Sequence, residues 1–91
     1  MDDAPVERPL IDFPSAFPIK VMGANVDGFV NAMTQVAKQF DPDFDATTIE
    51  LRASKGDKYL GITLTVMATS REQLDELYRS LSSHPMVKVV L

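Results

Sequence analysis

Between Tyr59 and Ala68 the sequence reads YLGITLTVMA, with Leu60, Ile62, Leu64, Val66 and Ala68 at every second place. Tyr59, Gly61, Thr63, Thr65 and Met67 take the other places, and that period of two predicts a strand with one buried face. The same alternation runs through residues 16–22, where Phe17, Ile19 and Val21 alternate with Ala16, Pro18, Lys20 and Met22. Pro18 lacks a donor and lies near the start of that strand, where a sheet tolerates it. In TTIELRAS, Ile49, Leu51 and Ala53 face one way and Thr48, Glu50 and Arg52 the other. The last residues, MVKVVL, set Val87, Val89 and Leu91 against Met86, Lys88 and Val90.

Two stretches change to the spacing of a helix. Val26, Phe29, Val30, Met33, Val36, Ala37 and Phe40 form one apolar stripe, with Asn31, Thr34, Gln35 and Lys38 outside it. Gly23 and Ala24 are expected to turn the chain, Asn25 to cap this helix, and Asp27 to complement its positive end. Gly28 then falls inside the helix at a cost of ~1 kcal/mol relative to alanine, and Asp41 with Pro42 stops it. Ser70 followed three residues later by Gln73 is a capping-box signature, and Leu74, Leu77, Tyr78 and Leu81 mark a second stripe, broken from Ser82 to Pro85. Lys55, Gly56 and Asp57 supply a hairpin turn before Tyr59.

The order is therefore β-α-β-β-α-β. Right-handed crossovers close it as an α+β, ferredoxin-like domain: a four-stranded antiparallel sheet in the order 4-1-3-2, with both helices on one face. The Tyr59 strand is central, and one face of the sheet stays open. Residues 13–91 form the domain. Residues 1–12, with two prolines and four acidic side chains, read as a flexible tail.

The segments IDFPSAFPIKVMG and ASKGDKYLGITLTVMATSREQLDELYRSLSSHPMVKVVL, at this separation, resemble the YbeD-like family of small bacterial proteins of unknown function. The likeness runs from about Ile11 to Leu91 and rests on an FPxxFxxKVMG pattern and on SSKGxYxSVTxTxxAT, in which Ala53 replaces the first serine and Leu60 and Gly61 depart after Tyr59. It implies a ferredoxin-like fold similar to ACT regulatory domains, and a gene neighbourhood that often includes lipoate attachment enzymes. It implies no catalytic residue, since none is established for the family.

Composition narrows the chemistry. The net charge of -4 opposes unaided binding to nucleic acid or an acidic lipid surface. With no cysteine there is no thiolate metal site and no thiol nucleophile. The N-terminal residues do not follow the pattern of a secretory signal, and no apolar run approaches the roughly 20 residues of a membrane span, so a cytoplasmic location is expected. A phosphate-binding enzyme on this fold needs an arginine in the loop after the first strand; the loop reads GANVDG. RNA recognition needs aromatics on the open face, which instead presents Lys20, Met22, Thr63, Thr65 and Met67, with Tyr59 at its end. His84 has no nucleophile beside it, and Asp41, Asp43 and Asp45 lack the glycine and distal glutamate of a calcium loop. No cofactor and no enzymatic activity are expected.

Two candidate sites are left. Glycines before a helix can present backbone donors to an anionic effector, which marks Gly23, Ala24 and Asn25 as a ligand loop, against a plain turn and cap. Lys20, Arg52 and Lys88 are expected to share the open face with Glu50, Thr63 and Thr65, as a docking surface or an ordinary wet face. The outer strand MVKVVL, short and apolar with one charge, invites pairing with another chain. The resulting expectation is a small regulatory or adaptor protein with a protein partner or a second copy of itself, in a possible homodimer. The alternative is a small-molecule sensor at the Gly23 loop.

Overall fold

The computed structural model describes residues 12–91, so the expected tail lies outside the described residues up to residue 11. Four strands and two helices follow the expected order: β1 (Ser15–Ala24), α1 (Phe29–Phe40), β2 (Glu50–Ala53), β3 (Tyr59–Ala68), α2 (Arg71–Ser82) and β4 (Val87–Val90). The strands lie β2-β3-β1-β4, all antiparallel, which is the expected order read from the other edge. β1 and β3 pair along their whole length, from Ser15 opposite Ala68 to Ala24 opposite Tyr59.

That register places the apolar positions of both central strands on one side. Ile19, Val21, Ile62, Leu64 and Val66 are buried there beneath Phe29, Met33, Val36 and Ala37 of α1 and Leu77 and Leu81 of α2. Phe44 joins this core from within the acidic loop that follows α1. Among so many charges its single ring gave no periodic signal. Thr34, expected outside the stripe, is buried, and its hydroxyl donates to the Val30 carbonyl at 2.9 Å, which satisfies the group without a partner from outside the helix.

The start of α1 departs from the expectation. β1 continues through Gly23 and Ala24, so these residues extend a strand where a turn was expected. The cap is Gly28, at φ 89, a left-handed conformation that residues with a side chain avoid. The Ala32 N–H donates to the Gly28 carbonyl at 2.8 Å to begin the helical ladder. Val26 is left exposed, and Asp27 precedes the helix.

The capping signal at α2 holds in a modified form. Ser70 Oγ accepts from the Gln73 N–H at 3.0 Å, while Gln73 Oε1 accepts from the Thr69 N–H and its Nε2 donates to the Phe40 and Met67 carbonyls. Asp41 completes the tie, because its carboxylate accepts from the Met67 N–H at 2.9 Å and from the Asp43 N–H at 3.1 Å. One glutamine and one aspartate thus join the end of α1, the end of β3 and the start of α2.

Candidate functional site

The open face is built by the alternate residues of the central strands. Lys20 lies opposite Thr63, which lies opposite Glu50; in the next row Met22 lies opposite Gly61, which lies opposite Arg52. Side chains of directly opposed residues stand on the same face, so each row is a line of neighbours across the sheet. Gly61 contributes nothing to its row. The result is a trough of about 550 Å³ bordered by Lys20, Met22, Glu50, Arg52 and Thr63.

Neither backbone nor packing demands a glycine at position 61. Its φ is not among the positive ones, and a Cβ there would meet only the Arg52 carbonyl, at an ordinary 3.5 Å. The consequence of Gly61 is therefore the space above it. Met22 on one wall is 39% exposed, and Val89, opposite it on β4, is 44% exposed. A trough with an apolar Met22 wall and a cation at either side can receive a side chain or an extended segment that is apolar with an acidic group nearby.

Of the residues expected on this face, Lys20, Arg52 and Thr63 line the trough, and Thr65 stands one row further along, opposite Pro18. Lys88 does not join them. The pairing of β4 shifts between Met22 and Gly23, with Val89 opposite Met22 and Val87 opposite Gly23, so that Lys88 is the extra residue of a bulge. The bulge also reverses the expected alternation: Val90 packs toward the core and Val89 faces out. Met22 was expected on this face but not in the docking set, Val89 was expected to face the core, and the role of Gly61 went unread, although an isolated glycine inside a strand pattern was a usable signal.

The Gly23, Ala24 and Asn25 segment has a different construction. Gly23 faces the core, where a Cβ would lie 2.6 Å from Phe29 Cζ and would run into the Met86 carbonyl oxygen. Ala24 pairs with Tyr59. The Asn25 N–H donates to the Lys58 carbonyl and its Nδ2 to the Asp57 carbonyl, both at 3.1 Å, while the Val26 and Phe29 N–H groups donate to Ala24 and Val26. The loop spends these donors on its own fold and on the β2–β3 hairpin.

His84 and Asp45 are also engaged locally. His84 Nδ1 accepts from the Met86 N–H at 3.1 Å. Asp45 Oδ1 accepts from the Thr47 hydroxyl and N–H, and these donors, the hydroxyl first, hold its carboxyl below the ordinary range. Among the described residues no group of three His, Cys, Asp or Glu side chains is placed to hold a metal, and no helix is long and apolar enough to cross a membrane.

Known structures share this arrangement. The solution structure of protein HP0495 from H. pylori matches with a TM-score of 0.78, covering 100% of this chain and 98% of that one at 16% identity, a likeness of fold alone. The ACT domain of a GTP pyrophosphokinase from Chlorobium tepidum matches with a TM-score of 0.65 at 25% identity, covering 85% of this chain and 97% of that one. In sequence, a UPF0250 protein of Leptothrix cholodnii is 60% identical over 91 residues, and one of Bordetella pertussis 57%, each covering 100% of both chains. The family model described as a protein of unknown function, DUF493, spans residues 8–91. An ACT-like sheet, full-length relatives at this identity and a family model over nearly every residue agree: the chain belongs to the DUF493 family.

Proposed function

We propose that this protein is a small regulatory adaptor that docks a protein partner on the open face of its sheet. The observation that carries the reading is the trough over Gly61, a space that folding does not require, walled by Met22 and flanked by Lys20 and Arg52. Lys20 and Arg52 outnumber Glu50 on its borders, which supports a partner segment with an acidic group, while the net charge of -4 disfavours nucleic acid. The fold occurs as a domain of an enzyme in Chlorobium tepidum, which is consistent with a module that serves another protein. The family resemblance supplies the first partner class to try, the lipoate attachment enzymes of the gene neighbourhood it implies. A small effector at Gly23, Ala24 and Asn25 has less support, because the Asn25 and Val26 N–H groups and the Asn25 amide already have partners.

A photo-cross-linking amino acid placed at Thr63 and, separately, at the exposed Asp75 of α2 tests this in cells. The expected result is a discrete protein adduct from position 63 and none from 75, with Lys20→Glu lowering the yield about tenfold, the equivalent of about 1.4 kcal/mol. Equal adducts from both positions, or none from 63, would overturn the reading.

A further inference from the structure

The outer strand β2 is charged in a way that fits its own reverse. All of Glu50–Ala53 is exposed at the sheet edge, and the Ser54 N–H donates to the Tyr59 carbonyl at 2.9 Å across the hairpin. Alternate residues of a strand turn their backbone groups to the same side. Glu50 and Arg52 therefore bond inward to β3, while Leu51 and Ala53 aim their N–H and C=O groups outward. Leu51 pairs with the buried Ile62 and so stands on the helix side of the sheet, yet it is 58% exposed. Glu50 and Arg52 stand on the opposite side.

We infer that β2 is a homodimer edge, pairing antiparallel with β2 of a second copy about a two-fold axis at Leu51. In that register the two Leu51 residues exchange their free N–H···O=C bonds, and their side chains cover each other. The Ala53 N–H reaches the Ile49 carbonyl of the second copy; the Ile49 N–H is already committed to Ala46. Glu50 of each copy lies opposite Arg52 of the other, in the close, non-hydrogen-bonded kind of pair where opposite charges attract best. Charge also fixes the register. Sliding by two residues one way sets Glu50 against Glu50, and the other way sets Arg52 against Arg52. β4, the other edge, has no such match, because its bulge makes the edge irregular and Lys88, the one charged residue of the strand, has no carboxylate on a second β4 to meet. The axis stands perpendicular to the sheet, so the two open faces join into one and the two troughs come to lie side by side.

The chain has no cysteine, so a specific cross-link can be introduced cleanly. Glu50→Cys and Arg52→Cys chains, mixed and oxidised, are expected to give a mixed disulfide as the main product, since the pair sets Cα atoms about 4.5 Å apart. Either variant oxidised alone is out of register and gives less. Sedimentation of the native chain from about 10 μM to about 1 mM, where an interface below standard size associates, is expected to show the mass rising from 10.1 kDa toward twice that value. Arg52→Glu returns the chain to monomer, and the swap of both charges, E50R with R52E, restores the dimer. A native chain that stays at 10.1 kDa throughout, leaving the edge to a strand of some other protein, overturns the inference. So does a dimer indifferent to Arg52→Glu. No docking partner is present in these measurements, so their outcome is independent of the reading of the open face.

Discussion

Gly23 and Gly61 lie in adjacent central strands, in neighbouring cross-strand rows, on opposite faces of one sheet. On the covered face the space left by Gly23 is filled by the Phe29 ring and the Met86 carbonyl. On the open face the space left by Gly61 is kept empty between Met22 and Arg52. The same residue thus serves two purposes. At position 23 the absence of a side chain lets α1 and the turn before β4 approach the sheet, and the fold depends on it. At position 61 the absence creates a surface feature, and the fold is complete without it.

Adding one methyl group at each glycine separates these roles. Gly23→Ala is expected to have the largest effect on stability, about 1–3 kcal/mol for overpacking against a backbone oxygen and an aromatic ring that have little room to move. For a domain of this size that lowers Tm by roughly 4–8 °C for each kcal/mol, read by thermal unfolding; an unchanged Tm would mean that the contact is slack. Gly28→Ala comes next, at about 1–2 kcal/mol, entirely from the left-handed backbone, since nothing lies within 4 Å of the added group. Gly28→Asn should lose less, because asparagine tolerates that conformation better, and equal losses in urea titrations would shift the cause away from φ. Gly61→Ala should leave stability within about 0.5 kcal/mol of the native chain.

The smallest effect concerns the turn that leads into β2. Thr47 holds the Asp45 carboxyl below its ordinary 3.8, so folding favours the ionised form. That contribution is complete above the unfolded pKa and is lost as pH falls through the lowered folded value. Asp45→Asn should flatten the acid limb of the stability curve below about pH 4. An acid limb identical to that of the native chain would assign this pH dependence to other carboxylates.

The strand order and the core were legible in the sequence because alternation along β1 and β3 is unbroken and both helical stripes are strong. Besides the burial of Phe44 and Thr34, three features escaped it. The glycine cap of α1 was hidden by Asn25 and Asp27, which are good capping residues standing one turn too early. The bulge at Lys88 could not be read, because a run of valines looks the same in either register. The exposure of Leu51 depends on how far the helices reach over the sheet edge, which no local pattern encodes. For the candidate site, the alternation placed Lys20, Thr63 and Arg52 on one face, but the trough arises from Gly61 lying between Met22 and Arg52. That is a cross-strand fact, visible only once the register is fixed.

In the proposed function the space above Gly61 serves docking and not folding. The most direct measurement fills it: Gly61→Val in a chain carrying the photo-cross-linker at Thr63, with thermal unfolding of the same variant recorded alongside. The account predicts an unfolding midpoint at or above that of the Gly61 chain, since valine suits a strand better than glycine, together with loss of the partner adduct. An adduct retained at full yield in the well-folded variant would contradict it.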